Sequence, residues 1–174
     1  MQEQSDRAYL TCLNMLKKRN YKILNENKLE MQILCEKINK EKVLLLFNTT
    51  PKFDTKSMKE IISMMNKSKL RHVIVIYKDT VTPATKNILS QSVDMYIELF
   101  AEEDLQIDIT EHILQPKFEC LSDVEAEEFK KKYGIKFGSL RVDRPISRFY
   151  DYKKGDIIRI IRKDGYISYR IVKG

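Results

Sequence analysis

At 174 residues the chain suits one ordinary domain or two small ones, and its 43% hydrophobic and 33% charged residues give a core beneath a wet surface. A net charge of +7 points to an anionic partner, nucleic acid before membrane, since no apolar span approaches the roughly 20 residues a membrane helix needs. Cys12, Cys35 and Cys120 are odd in number and widely spaced, which excludes a disulfide framework or a zinc spacing; with a polar, acidic start unlike a signal peptide, a reducing intracellular compartment is expected.

The first periodic stretch predicts a helix over about 6–19. Tyr9, Cys12, Leu13 and Leu16 share one face, making Cys12 a buried thiol, while Lys17, Lys18 and Arg19 favour the C-terminal end of the dipole. A second amphipathic helix is expected over 25–42, on Leu29, Ile33, Leu34 and Ile38. Val43-Leu44-Leu45-Leu46-Phe47 reads as a strand covered on both faces. After a loop over 48–54, Met58, Ile61, Ile62 and Met65 form a helical stripe, with Ser57 and Glu60 spaced as a capping box. His72-Val73-Ile74-Val75-Ile76-Tyr77 is a second buried strand. Strand, helix and strand over 43–77 make a βαβ unit, with parallel strands.

Thr82 and Pro83 restart the chain as N-cap and first residue of a short helix through about Ser90. Val93, Met95, Ile97 and Leu99 alternate like a strand, and Ala101-Glu102-Glu103-Asp104 is an acidic break. A strand is expected at 105–109. Ser122 and Glu125 form a capping box for a helix that ends before Gly134, acidic at its start, basic over Lys130, Lys131 and Lys132, with Ala126, Phe129 and Tyr133 on its apolar face. Segments 156–162 and 166–172 flank Asp164-Gly165, a hairpin signal of the type I′ turn. The expected fold class is thus α/β plus α+β: a βαβ-type N-terminal domain over 1–104 and a small mixed C-terminal domain over 105–174 with a terminal hairpin.

Little in the sequence carries catalysis. His72 and His112 are far apart and read as structural, five glycines leave no phosphate loop, and no serine or cysteine has a nucleophile-elbow context. A nuclease would need clustered acidic metal ligands. Here Val75-Ile76-Tyr77-Lys78 puts Ile76 in the carboxylate's place, and Asp54 and Asp79 fall in loops. No catalytic residue, metal or cofactor is therefore assigned. The C-terminal third is crowded with Arg141, Arg144, Arg148, Lys153, Lys154, Arg159, Arg162, Lys163 and Arg170, interleaved with Phe149, Tyr150, Tyr152, Tyr166 and Tyr169. Such a mixture suits nucleic-acid binding by charge and stacking, and equally a protein interface, where arginine and tyrosine are enriched.

Several motifs carry a resemblance. Glu111-His112-Ile113-Leu114-Gln115-Pro116-Lys117, the helix over 122–133, Pro145-Ile146-Ser147-Arg148-Phe149-Tyr150, Lys154-Gly155-Asp156-Ile157-Ile158-Arg159-Ile160-Ile161-Arg162 and Tyr169-Arg170 occur in the order of one family. The chain resembles the fifth-largest subunit shared by the three eukaryotic nuclear RNA polymerases, and its C-terminal third is similar to the corresponding small component of the archaeal enzyme. Residues 7–23 and Thr82-Pro83-Ala84 match the N-terminal part less strongly. Arg144 stands where the family has Asp before the proline, Phe137-Gly138-Ser139-Leu140 replaces a Leu-Pro-Arg-Ile segment, Phe118 replaces a histidine, and both the hairpin tip and the 23–43 region are abbreviated. These departures, with a Lys-, Asn- and Ile-rich composition, imply a divergent member from a large DNA virus or a reduced eukaryote.

The resemblance implies a non-catalytic subunit of DNA-directed RNA polymerase. Residues 105–174 would dock on the largest subunit, beside other subunits, through His112, Pro116, Pro145, Arg148, Tyr150, Gly155, Arg159, Arg162, Tyr169 and Arg170. Residues 1–104 would be a jaw near downstream duplex DNA, bound weakly and without sequence preference, with neither membrane attachment nor self-association. Its place would be the nucleus, or a virion or host-cell transcription site. The competing reading is a free-standing basic nucleic-acid-binding protein.

Overall fold

The computed structural model describes residues 2–27, 30–92 and 94–174, leaving aside the side chains of Gln2 and Ser90. Its contacts divide the chain into two units, Met1–Ile107 and Asp108–Gly174. Both mix helices with sheets.

The first helix, α1 (Gln2–Lys18), begins earlier than the apolar stripe suggests, with Glu3 in its first turn paired to Arg7 at 2.6 Å. It buries Ala8, Thr11, Cys12, Met15 and Leu16. Burial pushes the Cys12 thiol up, out of its reactive range.

The helix expected over 25–42 is instead a hairpin of β1 (Lys22–Asn27) and β2 (Gln32–Glu36), paired antiparallel. Burial along β2 alternates with period two, Ile33 and Cys35 inward, while Ile38 is 89% exposed and Leu29 lies outside the described residues. Asn25 and Asn27 favour helix poorly, and pairing of β2 with strands on both sides overrides the weak helical pattern.

The order continues β3 (Lys42–Asn48), β4 (Lys52–Phe53), α2 (Thr55–Ser68), β5 (His72–Tyr77), β6 (Thr80–Val81), α3 (Pro83–Gln91) and β7 (Tyr96–Ala101). The main sheet runs β1-β2-β3-β5-β7, with β3, β5 and β7 parallel, and β4 pairs with β6 alone. The βαβ reading of 43–77 therefore holds.

The cap of α2 does not lie where expected. Asp54, not Ser57, is the N-cap; its carboxylate accepts the Ser57 N–H at 2.9 Å, which helps hold the carboxyl below its usual range. An ionised acceptor at the helix start satisfies an otherwise unpaired N–H and complements the dipole, so the helix begins at Thr55. At α3 the expected Thr82 cap and Pro83 are both in place. Strand β7 starts at Tyr96 rather than near Val93, which lies outside the described residues; pairing with β5 begins only where Tyr96 N–H meets Arg71 O at 2.7 Å.

Both faces of this sheet are covered, which explains the uninterrupted apolar runs of β3 and β5. On one face Leu44, Leu46, Val73, Val75 and Ile97 pack against Met58 and Met65 of α2, with Ile88 and Leu89 of α3 at the margin. Alternation sends Val43, Leu45, Ile74 and Ile76 to the other face, where α1 lies: the Tyr9 ring is 6.0 Å from Phe47. Each aliphatic side chain fully buried here stabilises the fold by about 1.5–3 kcal/mol.

The strand expected at 105–109 does not form. Leu105 ends a short 3-10 turn (Glu103–Leu105), Ile107 is 69% exposed, and Asp108 Oδ1 accepts the Thr110 N–H at 2.8 Å. That local side-chain bond replaces a strand ladder.

The second unit contains β8 (Lys117–Cys120), α4 (Asp123–Tyr133), β9 (Ser139–Arg141), α5 (Pro145–Tyr150), β10 (Ile157–Ile161) and β11 (Ile167–Lys173). Its sheet runs β8-β10-β11-β9, antiparallel except for the parallel pair β11 and β9. The Ser122/Glu125 capping box is complete, and α4 ends at Gly134 as expected. On the α4 side Phe129 gathers Tyr133, Phe137 and Tyr169, at centroid distances of 4.8, 5.3 and 4.4 Å. On the other side Ile158, Val172 and Tyr152 form a core with Phe118, Leu140 and Tyr150.

The hairpin tip differs from the type I′ turn. Three residues, 163–165, lie between Arg162 and Tyr166, whose N–H and carbonyl pair at 2.9 Å. Gly165 takes φ +83 while Asp164 stays out of the left-handed region. Gly165 N–H closes on Arg162 O at 3.0 Å, the pattern of a turn followed by a glycine bulge. No helix among the described residues is long and apolar enough to cross a membrane.

Candidate functional site

The ten residues marked by sequence all lie in the second unit, but the fold distributes them over three places. At the hairpin tip, Arg162 lies 5.5 Å over the Tyr166 ring and, with Lys163 and Asp164, lines a groove of about 480 Å³ facing Ile113, Leu114 and Pro116. Ile113 and Leu114 are 72% and 81% exposed. His112 supports this loop, its Nδ1 accepting the Leu114 N–H at 3.2 Å.

On the α4 side, Arg159 stands between Glu119 of β8 and Tyr169 of β11 in register. Its Nε and Nη2 reach Glu119 Oε2 at 2.9 and 2.7 Å, and Lys117 Nζ reaches Oε1 at 2.6 Å. Hydrogen bonds from Lys117 and Arg159 hold the Glu119 carboxyl below its usual range. Arg159 is thus part of a cross-strand ion network rather than a bare cation.

The third group gathers around α5 and the following turn. Pro145 is the first residue of α5, where its missing N–H costs nothing. Ser147 Oγ donates to Arg141 O at 2.7 Å, tying α5 to β9. Arg148 and Tyr150 follow, and Tyr150 stacks on Tyr152 at 5.3 Å and 12°. Gly155, at φ +99, passes its N–H to Val172 O at 2.9 Å, a conformation that asks for glycine. Arg170, opposite Ile158 in register, lies over Gly138 so closely that a Cβ there would come within 1.6 Å of its Nη1.

Sequence reasoning missed a buried charge network in the first unit. Arg19 Nη1 and Nη2 donate to Glu98 at 2.7 and 2.8 Å, and His72 Nε2 lies 2.8 Å from the same carboxylate. His72 Nδ1 faces Tyr21 Oη at 3.3 Å and Glu41 at 3.5 Å. Burial alone would raise the Glu98 carboxyl; the His72 and Arg19 hydrogen bonds and the Arg19 charge outweigh it and bring the carboxyl to about 2. The signal in the sequence is the lone glutamate inside the apolar stretch Tyr96-Ile97-Glu98-Leu99-Phe100. Among the described residues no group of three or more His, Cys, Asp or Glu side chains could hold a metal ion.

Exposed aliphatics, tyrosines and arginines on a small mixed sheet are residue types enriched at protein contact surfaces. Residues 107–172 match the family described as RNA polymerase Rpb5, C-terminal domain. Over 185 aligned residues, 96% of this chain and 98% of the relative, the chain is 35% identical to the protein of Invertebrate iridescent virus 6 that bears the name DNA-directed RNA polymerase subunit 454R. It is 25% identical to DNA-directed RNA polymerases I, II, and III subunit rpabc1 of Dictyostelium discoideum over 98% of this chain and 92% of that one. Against subunit RPABC1 of Caenorhabditis elegans it is 27% identical over 76% of this chain and 66% of the other. The chain belongs to the Rpb5 family of DNA-directed RNA polymerase subunits.

Proposed function

We propose that the chain works as a non-catalytic subunit of a multisubunit DNA-directed RNA polymerase. Residues 105–174 dock on the largest subunit, and residues 1–104 form a jaw near downstream duplex DNA, at a nuclear or viral site of transcription. One observation carries this reading. The segment matched by the family, 107–172, is also the one that presents exposed Ile113 and Leu114 across a groove from Arg162, with exposed Tyr166 and Ile167 following in the hairpin.

The test separates assembly from DNA binding. Replacing Arg148, Arg159, Arg162 and Arg170 in pairs with alanine should release the subunit from purified polymerase in a pull-down. The same variants should change free DNA affinity far less, because non-specific complexes of this kind sit at Kd values of about 10⁻⁴–10⁻⁶ M. Loss of sequence-selective, nanomolar DNA binding with assembly intact would favour the free-standing nucleic-acid-binding protein instead. A fragment over 105–174 should fold alone, giving dispersed amide NMR signals, and capture the largest subunit. Capture by a 1–104 fragment only would overturn the division of labour.

A further inference from the structure

Positive charge prevails over this chain, with 32 lysines and arginines against 25 acidic residues, and one place in the first unit reverses the sign. At the carboxyl end of β3, a cleft of about 290 Å³ opens between α2 and the start of β2. None of the ten residues lining it is lysine or arginine, while two of them, Glu30 and Glu60, are glutamates. Among the described residues no ion pair engages either carboxylate.

The floor of the cleft is apolar. Leu46 is buried, and Phe47, Ile61 and Met64 are half-buried, so an occupant gains by covering them. On α2, Ser57, Glu60, Ile61 and Met64 follow the i, i+3, i+4, i+7 spacing, which puts the Glu60 carboxylate on the same face as the apolar pair. Met58 and Met65, on the neighbouring stripe, enter the core instead. Glu30 is held from the other side. Phe47 N–H donates to Met31 O at 3.1 Å, Met31 takes φ 51, and Glu30 N–H donates to Asn27 Oδ1 at 3.2 Å. These bonds fix the turn that brings Glu30 to the cleft, so both carboxylates stand beside apolar surface with no cation from the lining residues.

We infer that this cleft docks an extended, basic segment of another protein, with the stem of an arginine or lysine laid over Ile61 and Met64 and its head group at the Glu30 and Glu60 carboxylates. This site is additional to the docking surface of the second unit and does not depend on the subunit reading. Long cationic side chains bury their methylene stems on apolar surface while the charge stays at the rim, which matches an apolar floor edged by carboxylates. The same carboxylates repel phosphate, so a polynucleotide does not fit. A divalent cation such as Mg²⁺ wants oxygen ligands on several sides, where the floor offers aliphatic and aromatic carbon. Gln32 favours a peptide over a free polyamine, because its side-chain amide can donate to a backbone carbonyl and accept from a backbone N–H.

The experiment uses the full chain and a fluorescein-labelled heptapeptide in which two arginines alternate with leucines, read by fluorescence anisotropy. A twin peptide carries glutamate at both arginine positions. The arginine peptide should bind and the twin should not. Glu30→Gln/Glu60→Gln should weaken binding of the arginine peptide by about five- to tenfold, the range of two exposed ion pairs. Glu30→Lys/Glu60→Lys should reverse the preference in favour of the glutamate twin. Both glutamates are exposed, so these variants should fold, and circular dichroism checks that they do. A control that removes the same charge from the second unit, Glu127→Gln/Glu128→Gln, should leave the affinity unchanged. In ¹⁵N NMR, the arginine peptide should shift amides of residues 46–48 and 57–64. No binding of the arginine peptide by the unmodified chain, equal losses in the cleft variant and the control, or shifts confined to other residues would overturn the site. Cleft-dependent binding of spermidine without cleft-dependent binding of the arginine peptide would assign the cleft to a free polyamine and overturn the protein segment.

Discussion

The two units use charge in opposite ways. In Met1–Ile107, Arg19, Glu98 and His72 are buried beneath α1 at the margin of a sheet whose β3 and β5 are covered on both faces. In Asp108–Gly174, Arg159 pairs with Glu119 across an open sheet, and Arg162 and Arg170 are exposed. A buried pair is costly to assemble and costlier to break, because removing one partner strands the other's charge away from water; an exposed pair contributes little to stability and is available to a partner. Substitutions should therefore unfold the first unit and mostly disable, rather than unfold, the second.

The largest expected effect is at Glu98. Glu98→Ala leaves the Arg19 guanidinium, whose side chain is 2% exposed, without its carboxylate. It should cost about 3–5 kcal/mol in urea unfolding. The loss should concentrate on amides of the first unit in hydrogen-exchange NMR; equal loss of protection in both units would break the comparison. The pH dependence follows with a definite sign. A carboxyl lowered to about 2 in the folded chain contributes stability that is complete above its unfolded value and is lost as pH falls through the folded one. Acid should thus loosen the first unit from roughly pH 4.5 down to about 2.

An intermediate effect is expected at Phe129, which holds the second unit's aromatic cluster of Tyr133, Phe137 and Tyr169. The ring is half-buried, so Phe129→Ala should cost less than the 3–5 kcal/mol of a full core truncation, about 2 kcal/mol. Protection should fall across β10 and β11 while the first unit keeps its own.

The same contrast explains what the sequence could tell. Continuous apolar runs such as Val43 to Phe47 mark a doubly covered strand wherever they occur, and the Ser122/Glu125 and Thr82/Pro83 caps are local chemistry, so those elements were legible. The β1–β2 hairpin was not, because its pattern is weak in either period and is decided by strands on both sides of β2. The Arg19–Glu98–His72 network was invisible for a related reason: its members are 79 and 26 residues apart in sequence, and each has an adequate local explanation. In the second unit, motif order identified the candidate residues, yet their distribution over the hairpin tip, the α4 side and α5 depends on the β8-β10-β11-β9 order, which no local pattern encodes.

The smallest expected effect on stability sharpens the comparison most. Gly138 has no positive φ, so alanine is conformationally acceptable there, but its Cβ would fall 1.6 Å from Arg170 Nη1, 2.6 Å from Cζ and 3.0 Å from Cδ. The obstacle is the outer part of a flexible, exposed side chain, which can swing away while the backbone bond from Ile171 N–H to Gly138 O, at 3.0 Å, stays in place. Gly138→Ala should therefore change unfolding free energy by no more than about 0.5 kcal/mol, the range of surface substitutions. It should nevertheless move the Arg170 guanidinium off the position the glycine leaves open. If that position serves assembly, the variant should dissociate from polymerase nearly as readily as Arg170→Ala while melting like the unmodified chain. A variant that retains full assembly would remove Arg170's placement over Gly138 from the contact surface and leave its charge alone to be tested.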